Sequence, residues 1–513
     1  MTIGSPGDAT DWVWPLWLDR QLDSASPAWS PGQPLPGATN VTARNWTAIG
    51  NLDSRLEATV DPRGLVTPFT EGRGWSLDWW VGADDRWHLP SREPAVRQRL
   101  LQAAPVVETA MRVPGGDAVH RAYAVRDAGR ELVVVEVENR SAAPLALALA
   151  IRPCGTRALA AVRRIALADE TIVVVDGRVA MWLPRRPNRA AGSVGGRGDV
   201  ARLVLDGDAG DALEPLDDPD GLASAAFVWP VPHRTSLRVV LPLAPPAPKG
   251  GRIRRRKAGP TERSATFTGS APTIGELPGA DQVANGWRVH RRRGLQLALP
   301  DDRLADAFDA TRGQLLVGFD RVDVRTPRDT VWLAGALDRS GLAAEVRIWA
   351  ASLPERWRSS GHLGGSDHGI AGDGAALHAL ADHWRLHRDR GLAVELAPTV
   401  GAVAEAIGRA SGRRRGLGLP IDELLWSTAA MAAAAEVLVA GDEAQAGADA
   451  GRLAGVLRAR LDHRRNPDGT RPALAAIAGW PLRVVSPDDD RLAPAVDRLR
   501  GSDGDVGVVV APD

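Results

Sequence analysis

Cysteine, lysine and tyrosine are scarce in this sequence of 513 residues. Cys154 is the only cysteine, so the chain can form neither an intrachain disulfide nor a cluster of thiolate metal ligands. This favours a reducing cytoplasm. Arginine supplies nearly all the positive charge, since Lys249 and Lys257 are the only lysines, and 18 tryptophans accompany one tyrosine. A GC-rich coding sequence produces the same bias, so the tryptophans alone do not indicate sugar stacking.

The sequence also has no net charge and no visible targeting segment. Because 63 basic and 63 acidic residues cancel, no long-range field would attract nucleic acid or an anionic membrane. Basic runs at 251–257 and 290–294 lack interleaved aromatic residues, which favours solvated linker charge. Asp8, Asp11 and Asp19 interrupt the N-terminus, and no run of about 18 apolar residues predicts a spanning helix. We expect a cytoplasmic protein without a nucleic-acid or membrane partner.

Short apolar or alternating runs recur between turn signals from about residue 54 to residue 270. Their length, their β-branched residues and their Asp-Gly, Asn-Arg or proline boundaries are typical of antiparallel strands. The predicted strands include 75–81, 106–113, 131–139, 144–151, 171–177, 201–207 and 236–243, with a last short strand near 264–269. We therefore predict an antiparallel sandwich for this half.

The spacing of apolar residues changes after a segment rich in Pro, Gly and Arg at 244–263. In the run from Leu304 to Leu315, apolar residues recur at intervals of three and four, which predicts a helix. Similar patterns occur at 330–339, 342–352, 374–389, 394–410, 422–440 and 446–462, with weaker ones at 472–481 and 489–500. The second half is predicted to be all α.

Strands followed by helices indicate two segregated domains. We predict an N-terminal extension (1–45), a β-sandwich domain (46–270), a linker (271–300) and a helical domain (301–513). Consecutive helices with short loops should form antiparallel hairpins that stack into a bundle, a toroid or a solenoid. Periodicity alone does not choose among these three.

The segment RTPRDTVWL places Arg328 and Asp329 at the start of a predicted helix. Asp329 can accept hydrogen bonds from the first free N–H groups, and it faces the positive end of the helix dipole. A guanidinium beside a carboxylate can also make paired hydrogen bonds to hydroxyl groups in a cleft. The local pattern leaves both interpretations open.

A glycine-rich stretch at 359–377 carries His362, Asp367, His368 and Asp373. A flexible capping loop accounts for the glycines and for Asp373. The same concentration of polar groups in one loop also suits ligand binding. The pattern does not choose between a structural and a binding role.

His383 and His387 lie four residues apart on the helix that follows. That spacing can present two imidazoles to one metal ion. No glutamate motif lies between them, and the sequence shows no third ligand. We therefore expect a solvated helix face, and we predict neither a metal nor a cofactor.

Two adjacent carboxylates, Asp422 and Glu423, follow Pro420 at the start of another predicted helix. Acidic residues are common in a first helical turn because they face the positive end of the dipole. The functional alternative is a general acid at the rim of a cavity, where desolvation favours the protonated form of a carboxyl group.

The order of these parts resembles the family 15 glycoside hydrolases, the glucoamylases and bacterial trehalases. In that family a β-supersandwich and a linker precede twelve helices, which close into an (α/α)6 toroid with the sugar site at one end. Residues 51–69 are similar to the strand, tight turn and strand that open the sandwich of bacterial members. The resemblance covers about residues 50–500. It implies an antiparallel β-supersandwich followed by an (α/α)6-toroid-like helical domain.

Two segments of the helical half resemble the sugar-binding motifs of the family. RTPRDTVWLAGALDRSG looks like its TRDS-type motif, which implies that Arg328 and Asp329 bind the terminal sugar. GIAGDGAALHALADHW is similar to its RDGPALRA-type segment, which implies that Asp373 lines the cavity, although Gly372 replaces the usual arginine. We assign substrate binding to Arg328, Asp329, Trp332, His368 and Asp373.

PIDELLW resembles the general-acid segment of the family, which implies that Glu423 or Asp422 is the acid, although Trp426 follows the acids here. The catalytic base of the family lies late in its barrel. About seven strong helices are predicted between residues 303 and 462, so we expect an incomplete helical barrel. The late acids are predicted first as turn and capping residues; they are Asp488, Asp489, Asp490, Asp503 and Asp505.

The resemblance implies a glucoamylase-like glycoside hydrolase that acts on an α-glucoside or a related oligosaccharide by inverting acid/base hydrolysis. A noncatalytic carbohydrate-binding or scaffold relative without the catalytic base is the alternative. Nucleic-acid binding through residues 251–257 is a third hypothesis. An incomplete barrel would be completed by self-association or by a partner chain.

Overall fold

The chain forms two compact units in a computed structural model. They comprise Met1–Arg291 with Ala298–Val317, the β unit, and Arg292–Leu297 with Gly318–Asp513, the helical unit. The structure describes residues 12–29, 38, 40, 46–52, 54, 56–68, 74–156, 158–243, 271–319, 327–363, 369–413, 420–463, 478–479, 482–484 and 486. The predicted strand near 264–269 and the basic run at 251–257 lie outside these residues.

The β unit contains 17 strands among the described residues. They are β1 (Thr47–Gly50), β2 (Glu57–Val60), β3 (Val66–Thr67), β4 (Ser76–Gly82), β5 (Trp87–His88), β6 (Val96–Leu100), β7 (Val106–Val113), β8 (Gly116–Asp127), β9 (Arg130–Asn139), β10 (Leu145–Arg152), β11 (Arg164–Ala168), β12 (Ile172–Val175), β13 (Arg178–Trp182), β14 (Arg189–Ser193), β15 (Leu216–Asp217), β16 (Ser224–Val231) and β17 (Ser236–Pro242). One sheet has the order β1-β2-β3-β4-β10-β16-β14, with β5 paired to β4. The other has the order β15-β11-β12-β13-β17-β9-β8-β7-β6.

The core of the β unit follows from the two-residue period of its strands. Along β10, Leu145, Leu147 and Leu149 enter the large apolar cluster between the two sheets. Ala148 and Ala150 point to the opposite face and join a second cluster. Since successive strand residues alternate faces, this strand is buried on both sides of its sheet.

One predicted strand, 201–207, is a helix instead. Its first five residues belong to the short helix α2 (Val200–Leu205). The side chain of Asp199 caps this helix by accepting a hydrogen bond from the backbone N–H of Ala201 at 3.1 Å. Val200 and Val204 are buried against the outer face of the first sheet. The spacing of four residues and the capping aspartate outweigh the β-branched composition of this run.

A buried ion pair ties the N-terminal segment to α2. Arg152 bonds both carboxylate oxygens of Asp199, one of them at 2.6 Å, and also donates to the backbone carbonyl of Val13 at 2.6 Å. Its guanidinium lies over the ring of Trp80, 5.5 Å from the centroid. Both charged side chains are nearly inaccessible to water. A charge in such a place is tolerated only when it is paired.

We therefore predict that Asp199→Ala destabilises the β unit by about 3–5 kcal/mol, because it leaves the Arg152 guanidinium buried without its carboxylate. Denaturant-induced unfolding would measure the loss. Asp211→Ala is the matched control, since Asp211 pairs with Arg189 at the surface, and it should cost less than about 1 kcal/mol. Equal losses in the two variants would contradict the argument.

Two helices belong to the β unit, which differs from the predicted division of the chain. α3 (Ala280–Arg291) lies within the predicted linker 271–300, and α4 (Asp302–Phe319) begins the predicted helical domain. Arg291 donates to the carbonyl of Gln102 at 2.6 Å, and Gln314 donates to the carbonyl of Ala48 at 3.2 Å. These contacts group both helices with the sheets up to Val317. A change to helical periodicity therefore does not mark the edge of the β unit.

The helical unit contains seven helices beyond α4 among the described residues. They are α5 (Pro327–Arg339), α6 (Ala343–Ala351), α7 (Leu353–Ser360), α8 (Gly369–His387), α9 (Arg390–Arg413), α10 (Ile421–Ala440) and α11 (Ala444–His463). A further short helix, α1 (Leu16–Leu22), lies in the β unit. Most helices end within a few residues of the next, as the predicted hairpins require.

Two helices of this unit are long and apolar enough to cross a membrane, which we did not expect from the sequence. They cover Arg390–Ser411 and Ile421–Ala440. About two thirds of the apolar stretch of α10 is buried, and this helix packs against α8, α9 and α11. Packing inside the unit accounts for the apolar composition of α10.

Candidate functional site

Three helices, α5, α8 and α10, run in the same direction. Gly374 on α8 lies against Trp426 on α10, and Arg385 on α8 bonds Glu436 on α10, so residue numbers rise together on both helices. Asp338 on α5 bonds His383 on α8. Since α8 ends four residues later and α5 contacts it extensively, α5 must run parallel to α8.

Two neighbours of α10, the helices α9 and α11, run in the opposite direction to it. Arg390 at the start of α9 pairs with Asp442, just after α10, while Gly401 lies near Leu438. Gly447 near the start of α11 lies against Val439 near the end of α10. α9 and α11 are therefore antiparallel to α10, and the pairs α9–α10 and α10–α11 form the antiparallel hairpins that the loop lengths predict.

This arrangement brings the first turns of α5, α8 and α10 to one end of the helical unit. Asp338 is bonded to His383. Nine or ten residues earlier on the same helices lie Asp329 and Asp373, about 14 Å away along both axes at a rise of ~1.5 Å per residue. Glu423 lies one turn before Trp426, which contacts the residue after Asp373. Three of the predicted site residues thus share one end.

Asp329 is the third residue of α5, not its cap, because the helix begins at Pro327. A proline in the first position suits a helix start, and a carboxylate in the first turn faces the dipole. Trp332 is three residues later on the same side of α5, and about half of its surface is exposed. The side chain of Arg328 lies outside the described residues, as does all of His368.

The structure corrects the capping interpretation of Asp373. The helix begins at Gly369, so Asp373 is inside α8, and its side chain is buried. Its Oδ1 accepts the backbone N–H of Leu363 at 2.6 Å, and the imidazole of His362 bonds its Oδ2 at 2.9 Å. Asp373 therefore holds the chain before α8 against the helix, and His362 is the partner that the sequence did not identify.

Asp422 and Glu423 lie in the first turn of α10, as predicted, and both are half-buried. Pro420 precedes the helix and supplies no side-chain cap. The four residues after Glu423 are all buried, from Leu424 to Ser427, so the two carboxylates stand at the boundary between the packed helix and its accessible start. The late acids Asp488, Asp489, Asp490, Asp503 and Asp505 lie outside the described residues.

Ion pairs fix the positions of the three parallel helices relative to one another along their axes. Arg339 on α5 donates to Asp382 on α8 at 2.8 Å, and Arg385 on α8 makes a bidentate pair with Glu436 on α10 at 2.6 and 2.8 Å. Burial acts to raise the pKa of Asp382, but the hydrogen bond and charge of Arg339 hold that pKa below its ordinary value. The sequence pattern gave no sign of this network, because its members come from three separate helices.

The comparisons with known proteins bear on the fold. A bacterial glucoamylase solved in complex with acarbose is similar at a TM-score of 0.58 and 9% sequence identity, over 92% of this chain and 80% of that chain. The chain has a glycosidase-like fold. A family 92 glycosyl hydrolase is similar at a TM-score of 0.37 and 10% identity, over 81% of this chain and 60% of that one. No protein-family model and no curated protein matches. The predicted fold class, antiparallel sheets followed by a helical domain, is confirmed.

We predict that Gly374→Ala destabilises the helical unit by about 1–3 kcal/mol, because its Cβ would lie 2.7 Å from the backbone oxygen of Trp426. Thermal or denaturant unfolding would measure the change. Gly455→Ala in α11 is the matched control, since nothing lies within 4 Å of its Cβ. That substitution should be neutral or stabilise the helix by up to about 1 kcal/mol. Similar effects at the two glycines would contradict the close approach of α8 and α10.

The buried imidazole of His378 on α8 predicts a pH dependence. Burial lowers its pKa from 6.5 to about 4. Between these two pH values the unfolded chain takes up a proton that the folded chain does not, so the free energy of unfolding falls as the pH falls, by up to about 1.4 kcal/mol per pH unit. His378→Leu should reduce this slope, whereas His463→Leu, at an exposed position, should not. An unchanged slope in His378→Leu would refute the prediction.

Proposed function

We propose that this chain is a glucoamylase-like glycoside hydrolase that acts on an α-glucoside or a related oligosaccharide. The observation that supports this most is the common direction of α5, α8 and α10, since the N-terminal parts of these helices carry Asp329, Asp373 and Glu423 toward one end. The similarity of the fold to a bacterial glucoamylase in complex with acarbose points to the same class of substrate.

In this proposal, Arg328 and Asp329 bind the hydroxyl groups of the terminal sugar, because a guanidinium and a carboxylate together can make paired hydrogen bonds to hydroxyl groups. Trp332 offers an exposed aromatic face beside them. Asp373 supports the site through its bonds to His362 and to the backbone of Leu363, which hold the preceding chain in place.

Glu423 is proposed as the general acid that protonates the leaving glycosidic oxygen, with Asp422 as the second candidate. The half-buried position of both, at the start of a buried helix, suits a group that must reach a substrate while resting on rigid structure. Inverting hydrolysis also needs a carboxylate about 6.5–9.5 Å from the acid to activate water. The base of the family lies late in its barrel, and the late acids of this chain lie outside the described residues.

The test is a panel of α-linked disaccharides and maltooligosaccharides with the full-length chain. Glu423→Gln should lower kcat by about 10²–10⁴-fold, because the amide cannot donate the proton. Binding of acarbose, measured by calorimetry, should survive in the same variant. Asp422→Asn tests the second candidate for the acid.

Glu443→Gln, at an exposed position before α11, is the matched control and should keep full activity. No turnover of any member of the panel by the unaltered chain, or undiminished turnover by both Glu423→Gln and Asp422→Asn, would overturn the proposal. Calorimetric binding without turnover would identify the noncatalytic carbohydrate-binding relative instead.

A further inference from the structure

Three side chains with metal-ligating atoms meet where the C-terminal turns of α5 and α8 pack together. Asp338 Oδ1 lies 2.8 Å from His383 Nδ1 and 3.2 Å from His387 Nε2. The potential ligand atoms of the three residues all lie within 4.8 Å of one another. Because His383 and His387 are four residues apart on α8, the helix presents both imidazoles on one side.

The sequence predicted a solvated helix face here, and for His383 that prediction is wrong. The side chains of Asp338 and His383 are almost completely buried, and only His387 reaches the surface, with about 31% of its side chain exposed. The third ligand that the sequence did not reveal is Asp338, which lies 45 residues before His383. It comes from a different helix, so no local spacing could indicate it.

One oxygen atom of this cluster has no hydrogen-bond partner in the part of the chain that the structure describes. Asp338 Oδ1 accepts a hydrogen bond from the imidazole of His383 and lies 3.2 Å from Nε2 of His387, but Asp338 Oδ2 is buried and has no hydrogen-bond partner among the described residues. Buried polar atoms without partners are rare in folded proteins, and an ion is one of the common explanations. The contacts of the two imidazoles with the other oxygen explain the position of the histidines but leave this oxygen unexplained.

We propose that Asp338, His383 and His387 bind one divalent transition-metal ion of the zinc type. Two imidazoles and one carboxylate are a donor set that zinc and cobalt accept, whereas calcium and magnesium prefer oxygen ligands alone. Metal–ligand bonds of about 2.0–2.2 Å place tetrahedral ligand atoms roughly 3.3 Å apart. The observed spacings require shifts of about 1 Å or a little more. Each imidazole stays neutral and carries its proton on the nitrogen that faces away from the ion.

The site is separate from the proposed sugar site. It lies at the C-terminal ends of α5 and α8, about 14 Å along the helix axes from Asp329 and Asp373 at ~1.5 Å per residue. The partial exposure of His387 gives an ion a route from solvent. Its role is to clamp α5 to α8, and the inference does not depend on the proposed hydrolase activity.

The test uses the untagged full-length chain with Co²⁺ and Zn²⁺ as probes. Co²⁺ should give visible absorption typical of a site with imidazole ligands, Zn²⁺ should displace it, and equilibrium dialysis should find one ion per chain. Zn²⁺ should also raise the Tm. His387→Ala should weaken binding at least about a hundredfold, more than the loss of a supporting partner outside the ligand set.

Asp338→Asn should weaken binding in the same way, while His463→Ala, which alters an exposed histidine of α11, should leave it unchanged. Circular dichroism establishes that each variant is folded. If Asp338→Asn does not fold, His387→Ala decides the question, since His387 lies partly at the surface. The inference is overturned if the unaltered chain binds no stoichiometric Zn²⁺ or Co²⁺, or if His387→Ala binds as tightly as His463→Ala.

Discussion

The helical unit depends on the ion pairs that set its three parallel helices at one level. Asp382 receives Arg339 from α5, and Arg385, three residues further along α8, holds Glu436 from α10. A slip of one residue along any of these helices would move its first turn by about 1.5 Å and separate buried charges from their partners. The common level of the three first turns follows from this constraint, because rigid helices transmit their register from one end to the other.

Small residues make this register possible, because they let the helix backbones come close. Gly374 lets α8 lie against the backbone of Trp426, and Gly447 lets α11 lie against α10, where a Cβ would be 2.7 Å from the Val439 side chain. Close approach increases the number of dispersion contacts per turn and leaves no gap for water. The alanine-rich composition of α10 belongs to the same arrangement, since α10 is packed on most of its sides. Its apolar character is a consequence of burial within the unit.

How much could be read from the sequence depended on whether a feature is local. The bounds of α10 and α11 were predicted to within two residues, because apolar spacing along one helix is a local signal. The start of α8 was predicted five residues late, at 374 and not at Gly369, because Gly369 and Gly372 indicate a loop. Leu304, which begins the apolar pattern of α4, is mostly exposed, because the buried residues of that helix lie nearer its other end, among them Arg312 and Val317. In the candidate site too, positions along one helix could be predicted from the sequence, whereas contacts between helices could not.

The resemblance to a known family pointed to residues in the N-terminal parts of α5, α8 and α10 as those that would bind a sugar. It could not supply the partners of Asp373, which lie about ten residues earlier in the chain, or the neighbour of His383, which comes from another helix 45 residues earlier. The two ends of α8 therefore differ in the charged residues that they hold and in the partners of those residues. The N-terminal end holds Asp373, which is buried and bonded to His362 and Leu363, and the C-terminal end holds charges that only other helices can satisfy.

These two ends are mechanically joined. From Gly372 to His383 every residue of α8 is buried, so the helix cannot shift at one end without shifting at the other. A clamp between Asp338 and the two histidines would therefore restrict the position of Asp373 as well, about ten residues away. Productive geometry in catalysis is lost when reacting groups are displaced by about 1 Å, which is less than the rise of a single helical residue. The charges at the C-terminal end of α8 thus limit how far the residues at its N-terminal end can be displaced during any reaction there.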